Sequence, residues 1–132
     1  MKEFVDREYM TNLLVDMVRI DSVNPDLVPG AAGECELAKY IFQVMQEIGL
    51  EADLIEIAPN RPNVIGRLKG TGSGPSLMLN AHTDTVGVEG MDDPFSGEIR
   101  DGRCYGRGAY DMKASIAAAL AAAKALVDAN IA

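Results

Sequence analysis

His82 is the only histidine in the chain, and the apolar run Leu77-Met78-Leu79-Asn80-Ala81 leads straight into it. A strand over that run would deliver the imidazole to the rim of a sheet, where open α/β sheets bind their ligands. If the extended backbone continues, His82 and Asp84 project to one side, because side chains alternate along a strand. A carboxylate in that position can accept the N–H of the ring nitrogen that a metal does not use, which fixes the tautomer and raises ligand basicity. The plainer alternative is a structural histidine held by a neighbouring acid, and the pair alone does not decide between them.

Gly106-Arg107-Gly108-Ala109-Tyr110-Asp111-Met112-Lys113 forms a second cluster, a glycine-flanked turn entering an Ala-rich segment. Asp111 there is either a helix N-cap, accepting the free N–H groups of a first turn, or an oxygen ligand. Glycines in such a turn permit unusual backbone angles or close approach to a ligand. Histidine and aspartate are suitable nitrogen and oxygen donors for zinc-like cations. Both clusters lie at the ends of expected regular elements, so together they make one candidate metal site.

Other polar residues have plainer readings. Glu89, Asp92 and Asp93 are expected in a solvated loop, and Glu34 and Glu36 on the water-facing side of a helix. Arg103 and Arg107 are either exposed, paired, or available to a substrate carboxylate. Neither Gly70-Thr71-Gly72-Ser73-Gly74 nor Gly106-Arg107-Gly108 has the residues of a nucleotide-binding loop, the first lacking Gly-Lys-Ser/Thr and the second a third glycine at dinucleotide spacing.

The elements that must position these groups follow from periodicity. Phe4, Val5, Tyr9, Met10, Leu13, Leu14, Met17 and Val18 recur at steps of three and four and predict a helix with one buried face, ending near Ile20. Pro25 pushes Asn24 out of helical geometry, so a loop follows to about Gly33. Leu37, Tyr40, Ile41, Val44, Met45 and Ile48 predict a second helix, with Gly49 as a left-handed C-terminal cap. Residues 54–57 and 64–68 read as strands separated by a loop containing Pro59 and Pro62.

Leu77-Met78-Leu79, apolar without alternation, predicts a central strand covered on both faces. Asp101-Gly102 favours a tight hairpin turn inside Ile99 to Tyr105. From Met112 onward the Ala-rich segment predicts a helix with only Lys113, Ser115, Lys124, Asp128 and Asn130 to face water. Two helices, several strands and a closing helix predict an α/β layered architecture.

Composition narrows the function classes. At 132 residues, 48% apolar and 24% charged, the chain is expected to form one folded domain, whole or partial, over 1–132. Its net charge of −8 repels phosphate backbones and anionic membrane surfaces, which argues against nucleic acid or membrane partners. Met1 to Met10 shows no secretory signal, so a cytoplasmic location is expected. Cys35 and Cys104, with no CxxC spacing, are expected as buried thiols.

His82-Thr83-Asp84-Thr85-Val86, Pro94-Phe95, Asp101-Gly102-Arg103-Cys104-Tyr105-Gly106-Arg107-Gly108 and Asp111-Met112-Lys113, in that order, closely resemble the zinc-dependent peptidase and deacylase family. That family includes acetylornithine deacetylase, succinyl-diaminopimelate desuccinylase, aminoacylase and a glutamate-releasing carboxypeptidase. The resemblance runs from the N-terminal helix through Ala132. It implies a layered helix–sheet–helix, zinc-exopeptidase-like catalytic domain, here incomplete and without the family's lid domain.

By the same resemblance His82 would bind one metal, Asp111 would bridge two, and Asp84 would orient His82. The implied cofactor is Zn²⁺, two per complete site, with Co²⁺ or Mn²⁺ as alternatives, and the implied substrates are N-acyl amino acids or peptides. The family also uses an adjacent glutamate pair and further acidic and histidine ligands, whereas this chain has no Glu-Glu and no second histidine. The chain alone is therefore expected to be inactive, a front portion of a dinuclear amide hydrolase; the alternative is a non-enzymatic fold fragment with weak metal binding. An incomplete domain would expose apolar helix and strand edges, so a homo-oligomer is expected.

Overall fold

The computed structural model describes residues 4–72 and 74–130. Helix α1, Arg7–Arg19, begins where the Asp6 carboxylate accepts the Tyr9 N–H at 3.0 Å, the capping that satisfies a first-turn donor. Its apolar stripe buries Leu13, Met17 and Val18, and the backbone leaves helical geometry at Ile20. Helix α2, Cys35–Glu47, buries Leu37, Ala38, Ile41 and Val44. Gly49 closes it with φ +88°, and its N–H donates to Gln46 O at 3.0 Å, as its position predicted.

Strands β1, Glu51–Ala58, and β2, Arg61–Arg67, form an antiparallel hairpin in which Leu54 faces Val64. Pro62 is not in the connecting loop as expected; it lies inside β2 opposite Glu56. A two-stranded sheet leaves one side of each strand unpaired, and a residue without an N–H is tolerated there. A second hairpin, β3 Glu98–Arg100 and β4 Arg103–Tyr105, turns at Asp101 and Gly102 with φ +52° and +71°. Those paired positive angles are what the Asp-Gly dipeptide predicted.

Helix α3 runs Ala114–Asp128, two residues later than expected. It packs against α1, and α2 packs on β1–β2. One core joins the three helices through Leu13, Met17, Leu37, Ile41, Val44, Ile116 and Leu120. Burying each large aliphatic side chain contributes about 1.5–3 kcal/mol. Among the described residues no helix is long and apolar enough to cross a membrane.

The mixed α/β class is as expected, but besides Pro62 four further local expectations fail. Leu77, Met78 and Leu79 join no ladder and are 84%, 83% and 63% exposed, not the covered central strand the apolar run predicted. Each described hairpin pairs only with itself, so neither offers this run an edge. Met78 and Leu79 instead border an open hollow of about 350 Å³ beside Ile116 and Leu120 of α3.

Glu34 does not face water. It is buried at the start of α2, with the Arg61 guanidinium donating from Nε to its Oε1 at 3.1 Å while Nη1 engages Asp26. That pairing ties β2 to the loop after α1 and makes burial of the carboxylate tolerable. Cys35 and Cys104 are free thiols, half-buried and outside the core. Lys113, expected in water, is 1% exposed.

Candidate metal centre

The segment holding His82 is strapped to the loop that follows α1. Thr85 N–H donates to Ser22 O and Asn24 N–H to Thr85 O, both at 2.9 Å, giving a parallel bridge between Val23 and Thr85. Local pairing, not membership of a central strand, therefore positions the imidazole. His82 and Asp84 meet there, outside any strand: His82 Nδ1 lies 3.0 Å from the Asp84 carbonyl oxygen and 3.2 Å from its Oδ1.

On the other side of the ring, His82 Nε2 lies 3.0 Å from Asp111 Oδ1, across 29 positions of sequence. The side chains of His82, Asp84 and Asp111 are 47%, 31% and 80% exposed. Partial burial favours the neutral ring, but the hydrogen bond with Asp111, the Asp84 backbone contact and both carboxylate charges outweigh it, so the His82 pKa is raised above its ordinary value. Two anions on opposite ring nitrogens make a place where a cation is welcome, and a proton and a metal ion would compete for Nε2.

Asp111 does not cap α3, whose N-cap position belongs to Lys113. Residues Ala109–Lys113 form an irregular turn in which Asp111 (φ −121°, ψ 97°) and Met112 leave helical geometry, and the peptide between these two is cis. This break presents Asp111 to His82 ahead of the helix. Gly108, at φ +79°, starts the turn; a Cβ there would lie 2.8 Å from Thr85 Cγ2 and 3.0 Å from Lys113 Cε. A glycine is needed because the turn sits directly against both neighbours.

Lys113 anchors the turn from below. Its buried ammonium donates to Ile20 O at 2.8 Å, and its N–H donates to Gly108 O at 2.9 Å. Burial pushes the Lys113 pKa down to about 8, against the opposing charge of Asp21. The Met112 sulfur, 3.3 Å from the His82 N–H, closes the contact between the two segments.

Sequence reasoning missed Asn24, whose Nδ2 donates to Asp84 Oδ2 at 2.8 Å. The only signal was Asn24-Pro25, which reads as a turn; its partner lies 60 positions away. Glu89, Asp92, Asp93 and Arg103 are exposed, as expected for solvated residues. Arg107 is half-buried; its N–H donates to Pro94 O at 2.6 Å, and its Nε is buried without a partner among the described residues.

Among the described residues no three of His, Cys, Asp or Glu gather closely enough to hold a metal ion. His82 and Asp111 fit a divalent cation in donor chemistry and in mutual distance, but they supply two ligands where a catalytic zinc ordinarily takes three from protein.

Residues 78–132 match peptidase family M20/M25/M40. The chain is similar to N-formyl-4-amino-5-aminomethyl-2-methylpyrimidine deformylase of Halalkalibacterium halodurans, 35% identical over 124 residues that cover 89% of this chain and 29% of the relative. Its likeness to the Bacillus subtilis protein of the same name is 37% over 109 residues, covering 78% and 26%. Succinyl-diaminopimelate desuccinylase of Parvibaculum lavamentivorans is 38% identical over 118 residues, covering 86% and 28%. The chain thus spans less than a third of the length of these curated relatives.

Proposed function

Because the chain belongs to peptidase family M20/M25/M40, we propose that His82 and Asp111 are ligands in a metal centre that hydrolyses amide bonds of N-acyl amino acids or peptides in the whole protein. The observation that carries this reading is the 3.0 Å approach of His82 Nε2 to Asp111 Oδ1 on an exposed face. The names of the relatives add to it, since a deformylase and a desuccinylase each take an acyl group from an amine.

Each residue has a separate task. Asp84 accepts the proton of His82 Nδ1, leaving the Nε2 lone pair for a cation. Asp111, the most exposed of the three, is the carboxylate we assign to bridge two ions, offsetting their mutual repulsion. When bound, divalent ions such as Zn²⁺, Co²⁺ or Mn²⁺ polarise the substrate carbonyl and lower the pKa of water. Asn24 and Lys113 hold the two ligand-bearing segments in place from outside the centre.

We expect a cytoplasmic protein acting on small acylated substrates, with a second copy of itself as partner. The 132-residue chain alone is expected to be inactive, since it supplies two ligands and no adjacent glutamate pair. A second reading, a non-enzymatic fold piece with weak metal binding, draws on that same shortage of ligands.

Assay of the whole protein separates the two. With Zn²⁺ or Co²⁺, release of formate, succinate or acetate from the corresponding N-acyl amines should be measurable, and His82→Ala or Asp111→Asn should abolish it. Full turnover by both variants would overturn the assignment; no turnover by the whole protein on any of these substrates would favour the second reading.

A further inference from the structure

We propose that Asn24 is a positioning residue of this centre, holding the Asp84 carboxylate so that Asp84 in turn fixes the His82 ring; the proposal rests on the assignment of His82 as a ligand. Asn24 Nδ2 donates to Asp84 Oδ2 at 2.8 Å, while the other carboxylate oxygen, Oδ1, lies 3.2 Å from His82 Nδ1. With His82 Nε2 against Asp111, the four side chains form an unbroken line from the loop after α1 to the turn before α3.

The direction of the amide is settled by its own surroundings. Asn24 Oδ1 accepts the Asp26 N–H at 2.9 Å, so the NH₂ group must be the end that faces Asp84. Only a donor at that end suits a carboxylate, and the amide supplies one without adding charge. The main chain enforces the same approach, since Asn24 N–H donates to Thr85 O. Pro25 restricts Asn24 to extended geometry and so limits the directions its side chain can take.

A carboxylate held at one oxygen loses rotational freedom about its terminal bond. Asp84 therefore keeps Oδ1 beside His82 Nδ1, where its charge adds to the Asp84 main-chain carbonyl in favouring the tautomer with the proton on Nδ1. Without Asn24 the carboxylate is free to turn toward solvent, and the ring keeps only the Asp84 main-chain carbonyl, 3.0 Å from Nδ1, so its preference for that tautomer weakens. Asn24 acts on the metal position only through Asp84 and His82.

The chain has a single histidine, so the ring signals of ¹⁵N-labelled imidazole belong to His82 alone. In the metal-free 132-residue chain in alkaline buffer, ¹⁵N shifts report which ring nitrogen carries the proton. Asn24→Asp preserves the acceptor for Asp26 N–H and replaces the donor facing Asp84 with an acceptor; Asn24→Ala removes both. In each variant the ratio of Nδ1–H to Nε2–H tautomer should fall by about three- to tenfold, the effect of losing one hydrogen bond. Zn²⁺ affinity, measured in parallel, should weaken by about tenfold, as for loss of an outer partner of a metal ligand.

An unchanged tautomer ratio in folded Asn24→Asp overturns the proposal, as does loss of folding in that variant, which would make the residue a scaffold element. A shifted ratio in a chain whose unaltered form binds no Zn²⁺ supports the hold of Asn24 on the ring while removing the metal assignment, so the two failures are distinguishable.

Discussion

The Lys113 ammonium donates to the carbonyl oxygen of Ile20 at 2.8 Å, joining residues 93 positions apart, with the lysine itself buried. Ile20 ends α1 and Lys113 begins α3, so this one bond fixes where the Asp111 turn sits relative to the loop carrying Asn24. A charge is a costly group to bury, and its presence here marks the place where the fold trades apolar packing for a defined position.

Lys113→Ala should lower stability by about 2–4 kcal/mol, through the cavity left by the stem and the Ile20 carbonyl left unmatched. Lys113→Met keeps most of the stem and should cost about 1–2 kcal/mol. Urea unfolding of the three proteins checks the order. A Met variant more stable than the parent would show the buried ammonium to be a net burden.

Glu34 and Glu36 lie two residues apart but in opposite environments. Glu34 is buried against Arg61, whereas Glu36 meets Lys39 at 2.7 Å with both side chains largely in water. Exposed pairs contribute little, while removing one partner from a buried pair strands the other. Glu34→Ala should shift the urea midpoint several-fold further than Glu36→Ala. Equal shifts would mean that the Arg61 contacts add nothing to the tie between β2 and α2.

Periodicity made the helices legible, because Leu13, Met17, Leu37 and Ile41 enter the core where three- and four-residue spacing puts them. The Asp-Gly hairpin and the Gly49 cap were equally local, needing only the backbone angles those residues favour. His82 and Asp84 were legible as neighbours. Their approach to Asp111 was not, since it depends on a turn whose irregular geometry no spacing rule describes.

Long-range partners account for the misses. Glu34 looked solvated because its partner Arg61 lies 27 positions away, and Asn24 looked like turn punctuation because Asp84 lies 60 away. The apolar run at Leu77 points to a covered strand on composition alone. Hydrophobic residues specify what they would bury against only when a neighbour is available, and among the described residues neither hairpin supplies an edge.

That exposed run has a consequence in solution. Leu77, Met78 and Leu79, whose backbone joins no strand among the described residues, form a contiguous exposed apolar run of the kind that promotes self-association. Light scattering at moderate concentration should find a dimer or larger species, and Met78→Lys should shift it toward monomer. A monodisperse monomer of the unaltered chain would count against this.

His82 and Asp111 are proposed to hold one divalent ion between them. Isothermal titration of Zn²⁺ into the 132-residue chain tests it directly when His82→Ala, Asp111→Asn and the exposed control Asp92→Asn are titrated alongside. The geometry predicts one weak site, lost in the first two variants and retained in the control. Indistinguishable isotherms for all four proteins would contradict it.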